Sequence, residues 1–342
     1  MAIKYNIIGF LYFCTSLTLF SQESYSVDWK VVAEIREEGF QRSEIANTLS
    51  YMTDVLGARL TNSDDMREAQ SWVIKEMKRI GLKNAKTESF MDYGVSWDNE
   101  YFSLHLIEPD YQPMLGYPIA HTPGIKGRQT LPVVQVKIST KSDYKKYKGK
   151  LKGKAVLASP MPKVDQDRYR NGTPRYTEEK LKEIAENPFP DPPRSPRPPA
   201  NPDLVSAIER NQFFKDEGVA VILESRSGWI AAVRGFARPG AKKDVYEQSE
   251  TLQHLPIVAV TPEHYNRMYR ISEREIPIKI EIEIRTKVGN KRTQAKNVLG
   301  EIPGTDLKDE IVMLGAHFDT WHASPNASDN TSGVAVMLEA MR

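Results

Sequence analysis

A histidine and two aspartates near the end of the sequence have the residue types and the spacing of a metal site. His317 and Asp319 are separated by one residue, and Asp329 lies 12 residues beyond His317. A neutral imidazole and a carboxylate are typical zinc ligands, and a nearby carboxylate can accept the hydrogen bond from the other ring nitrogen and fix the tautomer. The residues alone leave a second interpretation equally open, in which His317 is a hydrogen-bonded core residue and Asp329 is the N-cap of the helix that follows.

Two elements must position these side chains. The apolar run Ile311 to Leu314 predicts a central strand that is buried on both faces. His317 and Asp319 then lie at the carboxyl end of that strand, where open α/β sheets bind their ligands. The segment Gly333 to Ala340 predicts a helix that packs its apolar face on the sheet, with Asp329 just before it.

The region upstream of these residues predicts helices followed by short strands. Residues 28 to 81 have helical periodicity, with a cap at Ser43 and a stop at Gly81. Residues 87 to 107 contain shorter apolar and aromatic runs that are typical of strands. The two apolar stripes of the helical region comprise Ile45, Leu49, Met52 and Leu56, and then Ala69, Val73, Met77 and Ile80.

The middle of the chain predicts a small β-rich domain over residues 121–275, inserted between residues 22–120 and 276–342. Short β-rich runs there are separated by turn residues and charged helical stretches. The tract 186–202 contains 8 of the 22 prolines, which favours an extended, solvated loop. Isoleucine at every second position from Ile276 to Ile284 predicts a strand that is buried on one face.

Composition places the chain among ordinary globular proteins. Of its 342 residues 40% are apolar, and its 47 basic side chains are balanced by 45 acidic ones. This balance argues against disorder, collagen-like repeats and polybasic binding, so we expect no nucleic-acid partner. The length favours two structural units.

The first 21 residues predict a secretory signal peptide, and hence a secreted or periplasmic protein. Lys4 is their only charge, and Ile7 to Phe20 is almost wholly apolar. A transmembrane anchor is the alternative, but about 14 apolar residues are fewer than the ~20 that span a bilayer, so we expect no stable membrane anchor. Cys14, the only cysteine, lies in this segment, so a metal or catalytic site of the mature chain must use oxygen and imidazole groups.

The segment around the histidine and the aspartates resembles a known metal-binding stretch. Ala316-His317-Phe318-Asp319-Thr320-Trp321-His322, followed by Ala327 to Ala335, is similar to the first metal-binding stretch of the dizinc exopeptidases, the family of bacterial leucine aminopeptidase and aminopeptidase Y. Asn297 to Gly304 resembles the strand and turn before that stretch, and Gly57 to Ser63 resembles the family's N-terminal element. The middle region resembles the protease-associated domain that many members carry as an insert. The order of the segments is most similar to the plasma glutamate carboxypeptidase (carboxypeptidase Q) branch.

The resemblance implies a site with two zinc ions. In such a site His317 binds one zinc, Asp329 bridges both, and Asp319 accepts the hydrogen bond from the second ring nitrogen of His317. The implied activity is that of a zinc metallopeptidase of the aminopeptidase, carboxypeptidase or dipeptidase type, with peptides or dipeptides as substrates and a homodimer as a candidate assembly. The implied fold is an α/β/α sandwich with a mixed, largely parallel sheet and an inserted β-rich protease-associated domain.

In that family the general base and the remaining metal ligands lie beyond the bridging aspartate. This sequence continues for 13 residues after Asp329. We therefore expect the sheet and the site to be incomplete in this chain, and the chain by itself to be inactive. A competing function is a non-catalytic binding protein built on a degenerate peptidase shell with a protease-associated domain.

Three further histidines are weaker candidates. His322, five residues after His317, would face the metal, a neighbouring substrate cleft or the surface. His254 and His264 lie in the predicted insert and are interpreted as surface or packing residues. The sequence contains no phosphate-binding loop, nucleophile elbow or Cys/His finger pattern.

Overall fold

The computed structural model describes residues 27–164, 175–187, 203–225 and 248–342. The predicted signal peptide and almost all of the predicted proline-rich loop lie outside the described residues. The chain divides between Glu44 and Ile45 into two units. Among the described residues, no helix combines the length and the apolar composition that crossing a membrane requires.

The described part of the first unit contains helix α1, Trp29–Gln41. Its N-cap is Asp28, whose carboxylate accepts hydrogen bonds from the amides of Lys30 and Val31. None of the side chains of α1 is buried.

The second unit contains both helices and strands. Its helices are α2 (Ile45–Ser50), which continues in a π-helical turn over Tyr51–Val55, α3 (Asp64–Arg79), α4 (Tyr144–Tyr147), α5 (Glu178–Glu186), α6 (Ala207–Asp216), α7 (Gln248–Gln253), α8 (Pro262–Ser272) and α9 (Ser332–Met341). Its strands are β1 (Lys83–Gly94), β2 (Trp97–Glu108), β3 (Gln112–Pro113), β4 (Gly116–Pro118), β5 (Gln129–Gln135), β6 (Ala155–Leu157), β7 (Val221–Glu224), β8 (Ile257–Val260), β9 (Lys279–Val288) and β10 (Thr293–Glu301).

Eight strands form one mixed sheet in the order β3-β2-β9-β5-β6-β7-β8-β4. The neighbours from β5 to β8 run parallel, whereas the pairs between β3 and β5 and the pair of β8 with β4 are antiparallel. Successive residues of the parallel strands pack on opposite faces: Leu157 and Leu223 join the cluster that contains α8, and Val156 and Ile222 join the cluster that contains Phe214 of α6. A mixed sheet covered by helices confirms the predicted α/β class.

The alternating isoleucines are buried as predicted from Ile278 onward, whereas Ile276 is 41% exposed and lies before the strand. Ile280, Ile282 and Ile284 of β9 are fully buried, and the residues between them are not. β9 lies between β2 and β5 in the sheet, so its buried face packs in the core on one side. The same sheet contains strands that precede residue 121, strands between residues 121 and 275, and a strand that follows residue 275. The division of the chain into domains at these two boundaries therefore stays a prediction.

The other two strands, β1 and β10, form a separate antiparallel pair. Helix α3 lies against both strands, and its Val73 shares a core cluster with Met52 and with Val334 and Leu338 of α9. This packing confirms the predicted apolar stripes of the N-terminal helices. Gly81, at φ +96°, follows α3 at the predicted stop because the left-handed backbone there carries no Cβ penalty.

The predicted central strand at Ile311 to Leu314 is wrong. The structure places this run outside any strand, and Ile311, Val312 and Met313 are 83%, 94% and 83% exposed. A strand that is buried on both faces needs partners beside it as well as layers above and below. None of the described strands pairs with these residues, so their hydrophobicity alone does not make them a strand.

Two short connections lie side by side where the chain passes between the two sheets. Residues 95 and 96 join β1 to β2, and residues 289–292 join β9 to β10. The amide of Gly289 donates a 2.9 Å hydrogen bond to the carbonyl of Ser96, and a Cβ at position 289 would lie 2.8 Å from the Ser96 hydroxyl oxygen. Glycine is therefore required there by close approach.

Candidate metal centre

The structure brings His317, Asp319 and Asp329 together. Nε2 of His317 lies 2.9 Å from Oδ1 of Asp329, and Nδ1 of His317 lies 3.1 Å from Oδ1 of Asp319. The three side chains are 52%, 40% and 81% exposed, so the cluster faces solvent. The imidazole thus has one carboxylate at each ring nitrogen.

Neither part of the alternative interpretation fits the structure. His317 is not a core residue, because half of its side chain is exposed. Asp329 does not cap the last helix, because α9 begins at Ser332 with Thr331 as its N-cap and without a side-chain cap hydrogen bond. The carboxylate of Asp329 instead contacts His317.

Asp319 is held by a threonine from the N-terminal part of the second unit. The hydroxyl of Thr61 donates to Oδ2 of Asp319, and Oδ1 of the same carboxylate contacts His317. A carboxylate fixed in this way sets the rotation of the imidazole and its tautomer. Thr61 lies in the segment Gly57 to Ser63, and no local pattern in the sequence links it to Asp319, because the two residues are 258 positions apart.

Arg59 connects the same N-terminal segment, through hydrogen bonds, to the loops that contain His317, Asp319 and Asp329. Its buried guanidinium donates to the backbone carbonyls of Met52, Gly57 and Phe318 at 3.0, 2.7 and 3.2 Å, and to the hydroxyl of Thr331 at 2.6 Å. The guanidinium also lies over the ring of Phe318, 5.6 Å from its centroid. These contacts hold the backbone between His317 and Asp319 and the loop just after Asp329.

The backbone of Arg59 adds a second connection. Its amide donates to the Thr320 hydroxyl at 2.7 Å, and its carbonyl accepts from the Thr320 amide at 2.9 Å. Burial lowers the pKa of Arg59 to about 10, against an opposing effect of the Asp319 charge. The guanidinium remains charged at neutral pH, so a buried positive charge lies close to the carboxylate cluster.

The pKa of His317 has two opposing influences. Its partial burial lowers the pKa, while the hydrogen bonds from the ring to Asp329 and to Asp319 raise it, with a net rise. The His317 ring therefore lies between two carboxylates. Their negative charges favour a positive charge at the ring, which either a bound proton or a bound cation can supply.

The arrangement of His317 and Asp329 fits a zinc ion. Two ligands about 2.0 Å from a tetrahedral zinc stand about 3.3 Å apart, and the observed Nε2 to Oδ1 distance of 2.9 Å is close to this value. The described residues contain no group of three or more His, Cys, Asp or Glu side chains arranged to hold a metal. His317 and Asp329 thus supply two donors, and a four-coordinate zinc requires two more.

The remaining histidines lie elsewhere. His322 is buried, so the surface interpretation is wrong for it; its Nε2 donates to the Pro118 carbonyl at 2.6 Å, and its ring meets Trp97 edge-on at 5.0 Å. Nδ1 of His264 accepts a 2.8 Å hydrogen bond from the Leu115 amide, which is a packing role. His254 is partly buried beside the start of β8.

Comparisons with known proteins relate the segment that contains these residues to a peptidase family. Residues 297–342 match the family model described as Peptidase family M28. The chain is 20% identical to Carboxypeptidase Q of Mus musculus over 91% of the chain and 57% of the relative, and 25% identical to Carboxypeptidase Q of Pongo abelii over 33% of the chain and 24% of the relative. It therefore spans between about a quarter and somewhat over half of these curated relatives.

A solved structure shares the fold. The crystal structure of a Peptidase M28 precursor from Shewanella amazonensis SB2B aligns with a TM-score of 0.53 at 19% identity, covering 90% of this chain and 61% of that chain. The family model covers the segment that carries His317, Asp319 and Asp329, and the fold extends over most of the chain. Residues 297–342 are therefore similar to peptidase family M28, and the chain shares the fold of a solved peptidase of that family.

Proposed function

We propose that the protein is a secreted, zinc-dependent exopeptidase that hydrolyses peptide bonds in peptides or dipeptides. The observation that carries this proposal is the imidazole of His317 held between two carboxylates, with Nε2 2.9 Å from Asp329 and Nδ1 3.1 Å from Asp319. The M28 family match over the same residues supports it.

Each residue of the cluster has a defined task in this proposal. His317 and Asp329 would hold a zinc ion, and the Asp329 side chain is 81% exposed, so it would be accessible to a metal from solvent. Asp319 accepts a hydrogen bond from the N–H at Nδ1 of His317, which leaves the lone pair of Nε2 for the metal. Bound zinc supplies a Lewis acid that polarises the scissile carbonyl and lowers the pKa of the attacking water.

Secretion rests on the sequence of residues 1–21, with its short basic start and apolar core. An inserted protease-associated domain over residues 121–275 likewise rests on the sequence pattern; the parallel strands β5 to β8 with helices on both faces support a folded unit in this region. The amino-terminal sequence of protein recovered from the medium or periplasm tests the first point.

Zinc affinity and hydrolysis together test the function. Competition with a chromophoric chelator should show saturable zinc binding that His317→Ala and Asp329→Asn each weaken by about 10- to 100-fold or more. His105→Ala, which removes an exposed imidazole of β2 stacked on Tyr111, is the matched control and should leave the affinity unchanged.

In a form of the protein that also supplies the general base and two further zinc donors, hydrolysis of dipeptides and short peptides should stop when a chelator removes zinc, whereas residues 1–342 by themselves should show none. Activity that persists in the chelator, or full zinc affinity in His317→Ala, would contradict the proposal. Saturable peptide binding without zinc binding or hydrolysis would support the non-catalytic binding protein instead.

A further inference from the structure

His322 lies in the same loop as two residues of the metal centre. The metal loop, residues 316–326, contains His317 and Asp319 as well as His322. Residues 302–315, which lead into this loop, are exposed and lie outside any strand or helix. The position of the metal loop must therefore be set by contacts of the loop itself and of the residues that follow it.

The side chain of His322 is buried and binds the backbone of a distant segment. Its Nε2 lies 2.6 Å from the carbonyl oxygen of Pro118, 204 positions earlier in the chain. A carbonyl oxygen only accepts, so Nε2 carries the hydrogen and donates it. Burial lowers the pKa of His322 to about 4, so the ring is neutral at pH 7 and this bond uses its one N–H. Nε2 is therefore not a metal donor.

Two aromatic rings fix the orientation of the His322 imidazole. Trp97, at the start of β2, meets it edge-on with the ring centroids 5.0 Å apart, and Tyr117 of β4 lies at 5.3 Å. Trp97 is itself held, because its Nε1 donates a 2.8 Å hydrogen bond to the Thr122 carbonyl. The imidazole is thus held by one directed hydrogen bond and by packing against two rings.

The acceptor of the hydrogen bond belongs to the eight-stranded sheet. Pro118 is the last residue of β4 and pairs with Val258 of β8. The amide of Ile119, the next residue, donates a 2.8 Å hydrogen bond to the Ile257 carbonyl. Ile119 and Val258 are both fully buried. The sheet therefore fixes the position of the carbonyl to which His322 donates.

We infer that His322 is a positioning residue for the metal centre, which docks the metal loop on the end of β4 and thereby on the eight-stranded sheet. This inference rests on the proposed zinc site at His317 and Asp329. The metal loop is fixed at two places, because Thr320 bonds the backbone of Arg59 while His322 bonds β4. A loop fixed in this way presents the His317 imidazole in one position, which strengthens metal binding.

Three substitutions of His322 separate the hydrogen bond from the packing of the ring. Glutamine carries an amide N–H at the ε position, asparagine carries one only at the shorter δ position, and leucine fills space without a donor. In chelator competition, His322→Gln should keep the zinc affinity of the wild type, because it can still donate to Pro118. His322→Asn and His322→Leu should each weaken zinc binding about tenfold.

His264→Leu is the matched control. It also removes an imidazole that is hydrogen-bonded to the backbone, since Nδ1 of His264 accepts from the amide of Leu115 just before β4. His264 is half-buried and lies outside the metal loop. Its substitution should lower the free energy of unfolding but leave the zinc affinity unchanged. This comparison separates positioning of the loop from general destabilisation.

Hydrogen exchange provides a measurement that needs no zinc. The amide of Thr320 lies in the metal loop and donates a 2.9 Å hydrogen bond to the Arg59 carbonyl. In the metal-free protein at pH 7 this amide should exchange about tenfold faster in His322→Leu than in the wild type, because release of one anchor lets the loop open. His322→Gln should restore the slow exchange.

Three results would overturn the inference. The first is wild-type zinc affinity or wild-type Thr320 exchange in His322→Leu, or in His322→Asn if the leucine variant fails to fold. The second is an equal loss in His322→Gln and His322→Asn, which means that the hydrogen bond to Pro118 does not dock the loop. The third is an equal loss of zinc affinity in His264→Leu. Absence of zinc binding in the wild type would instead refute the proposed function, and the exchange rates would then decide the inference by themselves.

Discussion

The guanidinium of Arg59 donates a 2.6 Å hydrogen bond to the hydroxyl of Thr331, and both residues are fully buried. Thr331 follows Asp329 by two positions and is the N-cap of α9. The start of the second unit therefore fixes the loop that carries one of the candidate zinc ligands. This contact joins residues 272 positions apart.

Removing the charge and donors of Arg59 should strongly destabilise the protein. Arg59→Met leaves four acceptors without their donor, two of them in buried and two in partly buried hydrogen bonds, which should lower the free energy of unfolding by about 3–5 kcal/mol. Urea unfolding followed by circular dichroism measures the loss. Arg128→Met, at an exposed arginine with long contacts to Glu281 and Glu283, should change stability by less than about 0.5 kcal/mol. Equal effects of the two substitutions would refute the central role of Arg59.

The Thr61 hydroxyl should affect zinc affinity more than stability. Thr61→Val keeps the shape of the side chain but removes the donor to Asp319, so the carboxylate no longer fixes the imidazole of His317. Zinc affinity should fall by about tenfold or more. Thr53→Val removes a hydroxyl that bonds the Leu49 carbonyl within its own helix, and it should leave zinc affinity unchanged. An unaltered affinity in Thr61→Val would show that Asp319 is positioned without it.

The buried imidazole of His322 should make stability depend on pH. Its pKa is lowered to about 4, with burial as the main cause, whereas the unfolded chain takes up the proton near 6.5. The unfolded state therefore binds more protons between these values, so this contribution is complete above pH 6.5 and is lost as the pH falls towards 4. The loss is up to roughly 3 kcal/mol for one such group.

Comparison with a variant that does not titrate isolates this effect. His322→Gln should be less stable than the wild type at pH 7, and the difference should shrink on acidification to pH 5. Asp98, whose pKa is raised to about 6, acts in the opposite direction, and His121, whose pKa is lowered to about 4 by burial and by His322, acts in the same direction. Asp98 and His121 are present both in the wild type and in the His322→Gln variant. A difference that is constant with pH would mean that His322 does not titrate as proposed.

The exposed apolar run after β10 should contribute little to stability. Val312 is 94% exposed and Val258 of β8 is fully buried, so the same substitution tests both environments. Val312→Ala should change the free energy of unfolding by less than about 0.5 kcal/mol, and Val258→Ala should cost about 2 kcal/mol. A large loss from Val312→Ala would indicate that residues 311–314 are buried in the folded protein.

Local patterns in the sequence predicted the strands and helices in which the spacing of the apolar residues determines which side chains are buried. The isoleucines of β9 and the stripe through Val73 of α3 pack as their spacing indicates. The run Ile311 to Leu314 was predicted incorrectly because hydrophobicity shows that a segment can be buried but not which strands pair with it. The predicted position of His317 and Asp319 at the carboxyl end of that strand is wrong for the same reason, because the structure places both residues outside any strand.

The supporting residues of the site were not predictable in the same way. Thr61 and Arg59 reach Asp319 and Thr331 across more than 250 positions, as their separations of 258 and 272 show. Nothing in the residues around Arg59 distinguishes a buried arginine from a solvated one. Such contacts become visible only when the fold brings the two segments together.

The paired connections between the two sheets have a topological consequence. Strands β1 and β10 are antiparallel, and their register ends with Gly94 opposite Thr293. Everything from residue 95 to residue 292 is therefore, in connectivity, the loop of a single β-hairpin. A two-residue Asn-Gly turn would be enough to join the same two strand ends. The eight-stranded sheet thus lies, in connectivity, within the loop of one hairpin, and the chain leaves and re-enters the two-stranded sheet at a single place.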